Sequence, residues 1–190
     1  MAADTRQRLI DSARQRFYRD GFRNVGIDAV LGDVGISKTA FYKHFSCKDD
    51  LMPAVLEDHD RWFREVFMEM IRRHGGEDPV SQLLAVMDAT GEVIDKPGFR
   101  GCIFVNAAME FPLPHDPAHA ASLRHKRAIE EFVHDLAERA RVADPVALAA
   151  ELCMIIEGAY VTRTVTNDPA TIVIARRLAE QTIARHVPPA

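Results

Sequence analysis

The apolar residues of this chain recur at steps of three and four through most of its length, the period of helices that bury one face. The sharpest instance runs from Ile27 to Leu51. Ile27, Val30, Leu31 and Val34 form one stripe, and Gly35 ends it by taking the left-handed conformation open to glycine. Ser37 then caps a second helix, Lys38 to Phe45, through its hydroxyl. That helix turns Ala40, Phe41 and Phe45 inward and Lys38, Thr39, Tyr42, Lys43 and His44 outward. Two short helices across a glycine-containing turn, the second basic and hydroxyl-bearing, have the layout of a helix-turn-helix that enters a major groove.

The flanking patterns are also helical. Asp4 with Gln7 reads as a capping box ahead of the stripe Leu9, Ile10, Ala13 and Phe17, which Gly21 stops. Arg6, Arg8, Arg14 and Arg16 lie off that stripe and are expected mainly in solvent. Ser46, with Asp49 at the third position, opens a long helix whose stripe of Leu51, Val55, His59, Trp62, Phe63, Val66 and Met70 runs to Gly75-Gly76. A domain boundary is expected near Pro53, giving a DNA-binding domain over 1–52 and a second domain over 53–190. In that second part Asp-Pro occurs at 78–79, 116–117, 144–145 and 168–169, each time before an apolar pattern of helical period. Aspartate is a strong N-cap and proline suits the first helical position, so each marks a helix start. The first of these helices should run to Pro97-Gly98, and the third from Pro145 to Thr166. The apolar run FRGCIFVNAAMEF predicts a short buried helix, and the total is about nine helices with no strand, an all-α chain.

Composition is that of an ordinary globular protein. No apolar run looks long enough to span a membrane, and the charged N-terminus is unlike a secretory signal, so a cytoplasmic protein without a membrane partner is expected. The net charge of −4 is divided unevenly: residues 1–48 hold nine Lys/Arg against five Asp/Glu, and the remainder 15 against 23. The basic excess therefore coincides with the helix-turn-helix, the footprint of a segment that meets phosphates. Three widely spaced cysteines, Cys47, Cys102 and Cys153, suggest neither disulfides nor zinc, and Cys102 and Cys153 read as core. His115 and His119 have a metal-ligand spacing, but a helix opened by Asp116-Pro117 leaves His115 outside it, so the two are incidental. His125 and His134 read as helix-face residues. No dinucleotide or phosphate-binding glycine loop, nucleophile elbow or paired-carboxylate constellation is present, so no enzyme, cofactor or metal is expected. A helical protein-interaction module is the other alternative, and the cations on the second helix of the motif argue against it.

The run Gly35-Ile36-Ser37-Lys38-Thr39-Ala40-Phe41-Tyr42-Lys43-His44-Phe45, followed by Lys48-Asp49-Asp50-Leu51, resembles the DNA-binding signature of the tetracycline-repressor (TetR) family. The resemblance implies an all-helical homodimer with an N-terminal three-helix DNA-binding domain and a C-terminal domain that binds ligand and dimerises. It also places a phosphate contact at Lys48. The chain departs from the family at Val25-Gly26-Ile27, where a hydroxyl residue usually opens the first helix of the motif. A backbone N–H at that helix start is the available substitute.

From these readings double-stranded DNA is expected to be held by Ser37, Lys38, Thr39, Tyr42, Lys43, His44 and Lys48. An apolar or weakly cationic small molecule is expected among Trp62, Phe63, Phe67, Phe104, Asn106, Glu110, Phe132, Glu157 and Tyr160. Asn106, Glu110 and Glu157 interrupt apolar patterns, so each needs a ligand or a structural partner. The last two helices are expected to form a dimer contact through Leu152, Ile155, Ile156, Ala159, Ile172, Ala175, Leu178, Ala179 and Ile183, because the helix from Val146 to Val161 is apolar around most of its circumference. A repressor released from a palindromic operator by a small molecule is expected, since repression requires only occupancy of DNA, and an activator of the same fold is the alternative.

Overall fold

The computed structural model of the chain describes residues 2–187, with side chains from 4 to 187. Among the described residues there are nine helices and no strand: α1 (Ala2–Asp20), α2 (Ile27–Val34), α3 (Lys38–Phe41), α4 (Lys48–Gly75), α5 (Pro79–Ile94), α6 (Ile103–Glu110), α7 (Pro117–Arg139), α8 (Pro145–Thr166) and α9 (Ala170–His186). The chain forms two compact units, Met1–Trp62 with Cys102–His125, and Phe63–Gly101 with Lys126–Ala190.

In the first unit the predicted stripes all face one core. Leu9, Ile10, Ala13 and Phe17 of α1 are buried with Val30, Leu31, Val34, Phe41 and Phe45. Gly35 has φ +71° and its N–H returns to the Leu31 carbonyl, closing α2 as its left-handed conformation permits. Of the four arginines expected mainly in solvent, Arg6 and Arg8 are exposed and Arg14 and Arg16 half-buried, and all four make tertiary contacts as well. Arg16 forks onto Asp33 at 2.5 and 2.6 Å, Arg8 donates to the Val34 carbonyl at 2.6 Å, and Arg6 and Arg14 lie over the rings of Phe45 and Trp62. Their long stems carry the guanidinium off α1 and across to the neighbouring helix. With Arg16 and the Ser12 hydroxyl both donating to it, the Asp33 carboxyl is held down to about 2.

Local boundaries differ from expectation in several places. α1 starts at Ala2, so Asp4 lies in its first turn and is not a cap. Regular α3 stops at Phe41, although His44 N–H and Phe45 N–H still donate to the Phe41 carbonyl, at 2.8 and 3.1 Å, and keep the chain coiled to Phe45. Ahead of α4 it is Asp50, not Asp49, that accepts from the Ser46 N–H, at 3.1 Å. Pro53 lies inside α4 without ending it. The compact division falls after Trp62 and returns Cys102–His125 to the first unit. Ile103, Phe104, Ala107, Ala118 and Ala121 bury their side chains in the same core as α1–α4, a grouping that no local pattern announces.

In the second unit α5, α8 and α9 pack together around Leu83, Val86, Met87, Leu148, Leu152, Ile156, Ala175 and Ala179. Asp78 and Asp144 cap α5 and α8, accepting from Ser81 N–H and Ala147 N–H at 2.8 and 3.0 Å with proline next in line. At the last Asp-Pro the start slips by one residue: Pro169 is the capping position and Asp168 accepts from the Ala170 N–H at 2.8 Å. α5 ends at Ile94, before Pro97-Gly98. By length and composition α8 could cross a membrane, which corrects the expectation that no apolar run is long enough. Here part of it is core, with Leu148, Ala149, Leu152, Ile156, Ala159 and Tyr160 buried. Two smaller corrections follow from burial. α6 is not buried on all sides, since Met109 is 77 % exposed, and Cys102 and Cys153 are only half-buried, though burial pushes the Cys153 thiol up to about 11.

Candidate nucleic-acid interface

Ser37 caps α3, its hydroxyl accepting from Ala40 N–H at 3.2 Å. A capped first turn fixes the direction in which the next side chains leave the helix. Phe41 is fully buried beneath them, and Lys38, Thr39, Tyr42 and Lys43 are exposed, with His44 half-buried. Tyr42 is 54 % exposed and its ring stands edge-on to Phe41 at 5.4 Å, so one side of it packs while the rest is open to solvent. Lys38 lies 2.9 Å from Asp28 of α2, which raises its pKa through the hydrogen bond and charge of that carboxylate. To reach a base edge Lys38 must exchange Asp28 for the nucleic acid, an exchange between solvated partners that costs little. Gly26 caps α2 without a side-chain bond, in keeping with the departure seen in the sequence.

Lys48 opens α4 and is half-buried. Its Nζ donates to the Arg23 carbonyl at 3.3 Å and lies 5.9 Å from the Phe17 ring, and the burial lowers its pKa. It is therefore tied to the turn between α1 and α2.

The nine residues expected around a ligand divide between the units. Trp62, Phe104, Asn106 and Glu110 belong to the first, and Phe63, Phe67, Phe132, Glu157 and Tyr160 to the second. In the first, the His59 ring lies 5.3 Å from Trp62 and 5.6 Å from Phe104, and Phe104 stacks on His125 at 3.6 Å. His125, expected on a helix face, is 4 % exposed and bonds Asp60 through Nδ1 at 2.7 Å. Desolvation, with Arg14 and His125 nearby, pushes the His59 imidazole down to about 4. Glu110 has the structural partner that was the alternative to a ligand: its two carboxylate oxygens accept the backbone N–H groups of Phe22 and Arg23. In the second unit Phe63 stacks on Phe67 at 5.3 Å, Tyr160 on Phe99 at 5.6 Å, and Glu157 is paired with Lys126. An open groove of about 240 Å³ is lined by Arg127, Glu130, Glu131, His134, Val146 and Ala149, none of them among the nine. His134, Asp135 and Glu138 bring one possible metal-ligand atom each within 4.8 Å on the surface of α7. His119 donates from Nδ1 to the Phe111 carbonyl, 3.0 Å away.

Of the nine residues expected at a dimer contact, Leu152, Ile156, Ala159, Ala175, Ala179 and Ile183 are interior to the second unit, because α9 packs on both α5 and α8. Ile155 and Ile172 are partly buried and Leu178 is exposed. The large outward apolar side chains of these helices are Val146, Met154, Val161 and Val165 on α8 and Val173, Ile174 and Leu178 on α9. A helix apolar around its circumference shows that it is covered on several sides, and the pattern does not say which side meets which partner.

Sequence reasoning missed two features of the first unit, the Glu110 attachment and the His125–Asp60 pair. Their partners are 88 and 65 residues apart, beyond any local spacing.

Comparison with known proteins agrees with this geometry. Residues 9–55 match the family model for bacterial regulatory proteins of the tetR family, and residues 79–179 match that for the tetracyclin repressor-like C-terminal domain. The HTH-type transcriptional regulator YjdC of Escherichia coli K12 is 26 % identical over 179 residues, 92 % of this chain and 91 % of that protein. The transcriptional regulator AcuR of Cereibacter sphaeroides is 26 % identical over 161 residues, 80 % of this chain and 73 % of its own length. The crystal structure of SCO4454, a TetR-family transcriptional regulator from Streptomyces coelicolor, superposes with a TM-score of 0.89 at 31 % identity, covering 98 % of this chain and 97 % of that one. With its capped helix-turn-helix and a matching helical C-terminal region, the chain belongs to the TetR family of DNA-binding transcriptional regulators.

Proposed function

We propose that this protein is a cytoplasmic, homodimeric repressor that leaves a palindromic operator when a small molecule binds its C-terminal region. The observation that carries the DNA half of this reading is the outward set of Lys38, Thr39, Tyr42, Lys43 and His44, raised on a core anchored by Phe41 and Phe45. Lys38, Thr39 and Tyr42, on the first turn, enter the groove, with lysine suited to guanine O6 and N7. Lys43, His44 and Lys48 hold phosphates, and Ser37 acts by orienting the helix. Two copies joined through the outward faces of α8 and α9 would bury Met154, Val161, Val165, Val173, Ile174 and Leu178. A two-fold dimer reads a palindrome whose half-sites lie about one helical turn apart or slightly more.

The effector half rests on the aromatic supply of the second unit, Phe63, Phe67, Phe132 and Tyr160. The carboxylates that suggested a cationic ligand, Glu110 and Glu157, both have partners within the protein, so the reading is an apolar molecule. Such a molecule lowers operator affinity by the factor by which it prefers the released pose, and operator weakens its binding equally.

Selection of duplexes from a random pool, followed by anisotropy titrations at several salt concentrations, tests the DNA half. Palindromic sites and a steep loss of affinity with salt are expected. Lys48→Ala should weaken all sequences alike and reduce the salt slope by about one unit. Non-palindromic sites or salt-independent binding would defeat the reading. For the effector, apolar aromatic compounds that raise the melting temperature are then scored for release of the selected duplex. A compound that binds tightly and leaves DNA affinity unchanged is not the effector.

A further inference from the structure

The end of α6 grips the turn between α1 and α2. Glu110, the last residue of α6, accepts the Phe22 N–H on Oε1 at 2.8 Å and the Arg23 N–H on Oε2 at 2.7 Å. Arg23 answers in the other direction: its Nε donates to the Glu110 carbonyl at 2.9 Å, and its guanidinium lies 4.9 Å from the Phe111 ring centroid. Phe111 stands edge-on to Phe22 at 6.4 Å, and Phe22 stacks on Phe17 of α1 at 4.9 Å. The turn is shaped for this approach. Gly21 has φ +88°, and a Cβ there would lie 3.2 Å from Glu110 Oε1. On its far side the same turn offers the Arg23 carbonyl to Lys48 Nζ. A continuous path therefore runs from the Glu110 carboxylate through the Arg23 backbone to Lys48, the lysine proposed above to hold a phosphate.

Arg23 is exposed, so water could satisfy its amide at little cost, whereas Phe22 is fully buried and its amide needs an acceptor from the protein. A carboxylate on a DNA-binding unit repels phosphates, and a neutral acceptor would serve the Phe22 amide without that penalty. Electrostatics therefore opposes a carboxylate here, whereas its bidentate, charge-assisted grip on two successive N–H groups fixes direction.

We propose that Glu110 is a positioning residue for DNA binding. It sets the pose of the α1–α2 turn, and through the Arg23 carbonyl the pose of Lys48, so that the position of α6 is read out at the phosphate-contacting edge. The inference rests on the DNA-binding function of the helix-turn-helix and needs no knowledge of the effector.

The test uses the full-length chain with Glu110→Ala and Glu110→Gln, and as probe the duplex that the wild-type chain selects from a random pool. Positioning and charge predict opposite signs. Neutralising Glu110 purely as a charge would tighten binding in both variants. Loss of positioning should weaken Glu110→Ala roughly tenfold, the scale of one or two charge-assisted hydrogen bonds, with Glu110→Gln intermediate because its amide oxygen still accepts one N–H. Exchange of the Phe22 and Arg23 amide hydrogens should accelerate while that of α4 amides does not. Because the effect passes through Lys48, the loss caused by Glu110→Gln should shrink in a Lys48→Ala background. Unchanged or tighter binding by folded Glu110→Ala overturns the proposal, as does full additivity of Glu110→Gln with Lys48→Ala. If Glu110→Ala does not fold, the near-isosteric Glu110→Gln and its cycle with Lys48→Ala decide alone: weaker, non-additive binding supports positioning, and wild-type or tighter binding overturns it.

Discussion

The two units both bury an apolar core and differ in what their polar side chains grip. In the first, polar side chains reach backbone groups and a buried histidine as well as one another: Arg8 holds the Val34 carbonyl, Glu110 the Phe22 and Arg23 amides, Asp60 the buried His125, and Arg16 holds Asp33. In the second, where α5, α8 and α9 pack together, the long-range ties include ion pairs between side chains, Arg163 with Asp95, Arg176 with Asp88 and Lys126 with Glu157. The apolar residues that each unit exposes differ in the same way. Those of the first, Tyr42, Trp62, Met109, Leu113 and Leu123, are scattered over several elements, whereas those of the second, Val146, Met154, Val161, Val165, Val173, Ile174 and Leu178, all lie on two packed helices. Exposed apolar side chains gathered on two packed helices suit a large apolar partner such as a second copy. A unit whose polar side chains grip the backbone suits a site whose side chains must arrive at a nucleic acid in a fixed pose.

The strongest way to break the comparison is to remove the anchor under the motif. Phe41 is fully buried, and Phe41→Ala should cost the first unit about 3–5 kcal/mol. Anisotropy with the selected duplex should show DNA binding lost, while sedimentation shows the dimer retained if assembly belongs to the second unit. Loss of both would mean that the units do not behave separately.

Acid should act earliest on the first unit. His59 is held at about 4, well below its ordinary value, by burial and by Arg14 and His125. The unfolded chain therefore binds a proton that the folded one refuses between about pH 6.5 and 4, so stability falls as pH drops through that window. The full loss is about 3 kcal/mol, and urea midpoints across the window should flatten in His59→Gln. An equal slope in the variant would remove His59 as the cause.

Next in size is a charge placed on the apolar face. Leu178→Glu should weaken dimerisation about a hundredfold or more, roughly 2.7 kcal/mol, with little change in the helical signal. A dimer of unchanged affinity by sedimentation would move the contact elsewhere. The smallest effect sharpens the polar side: Ser37→Ala removes the α3 cap, with an expected cost of about 1 kcal/mol and a matching loss of DNA affinity, whereas Ser37→Gly costs a few tenths.

The helices were legible because their signals are local. The Asp78-Pro79 and Asp144-Pro145 starts, the stripe of α1, the Gly35 stop and the Ser37 cap each depend on residues within one or two turns, and the structure keeps all of them. The outward set of α3 was legible for the same reason, since helical spacing alone decides which side chains oppose the buried Phe41. The expected dimer residues show where such reading stops. Leu152, Ile156 and Ala159 share a stripe, but a stripe records that a face is covered and not by what, and here α5 and α9 belong to the cover.

Sequence by itself determined the all-helical class, the order and most ends of the helices, the helix-turn-helix and the family. These follow from backbone geometry, capping and period, which act over a few residues. Tertiary structure alone decided that Cys102–His125 folds with the DNA-binding helices, that Arg8 and Arg16 are braces, and that Glu110 holds a turn 87 and 88 residues away. The physical reason is that a buried or bridging polar group is specified by whatever donor or acceptor packing brings to it, and chain distance carries no record of that choice.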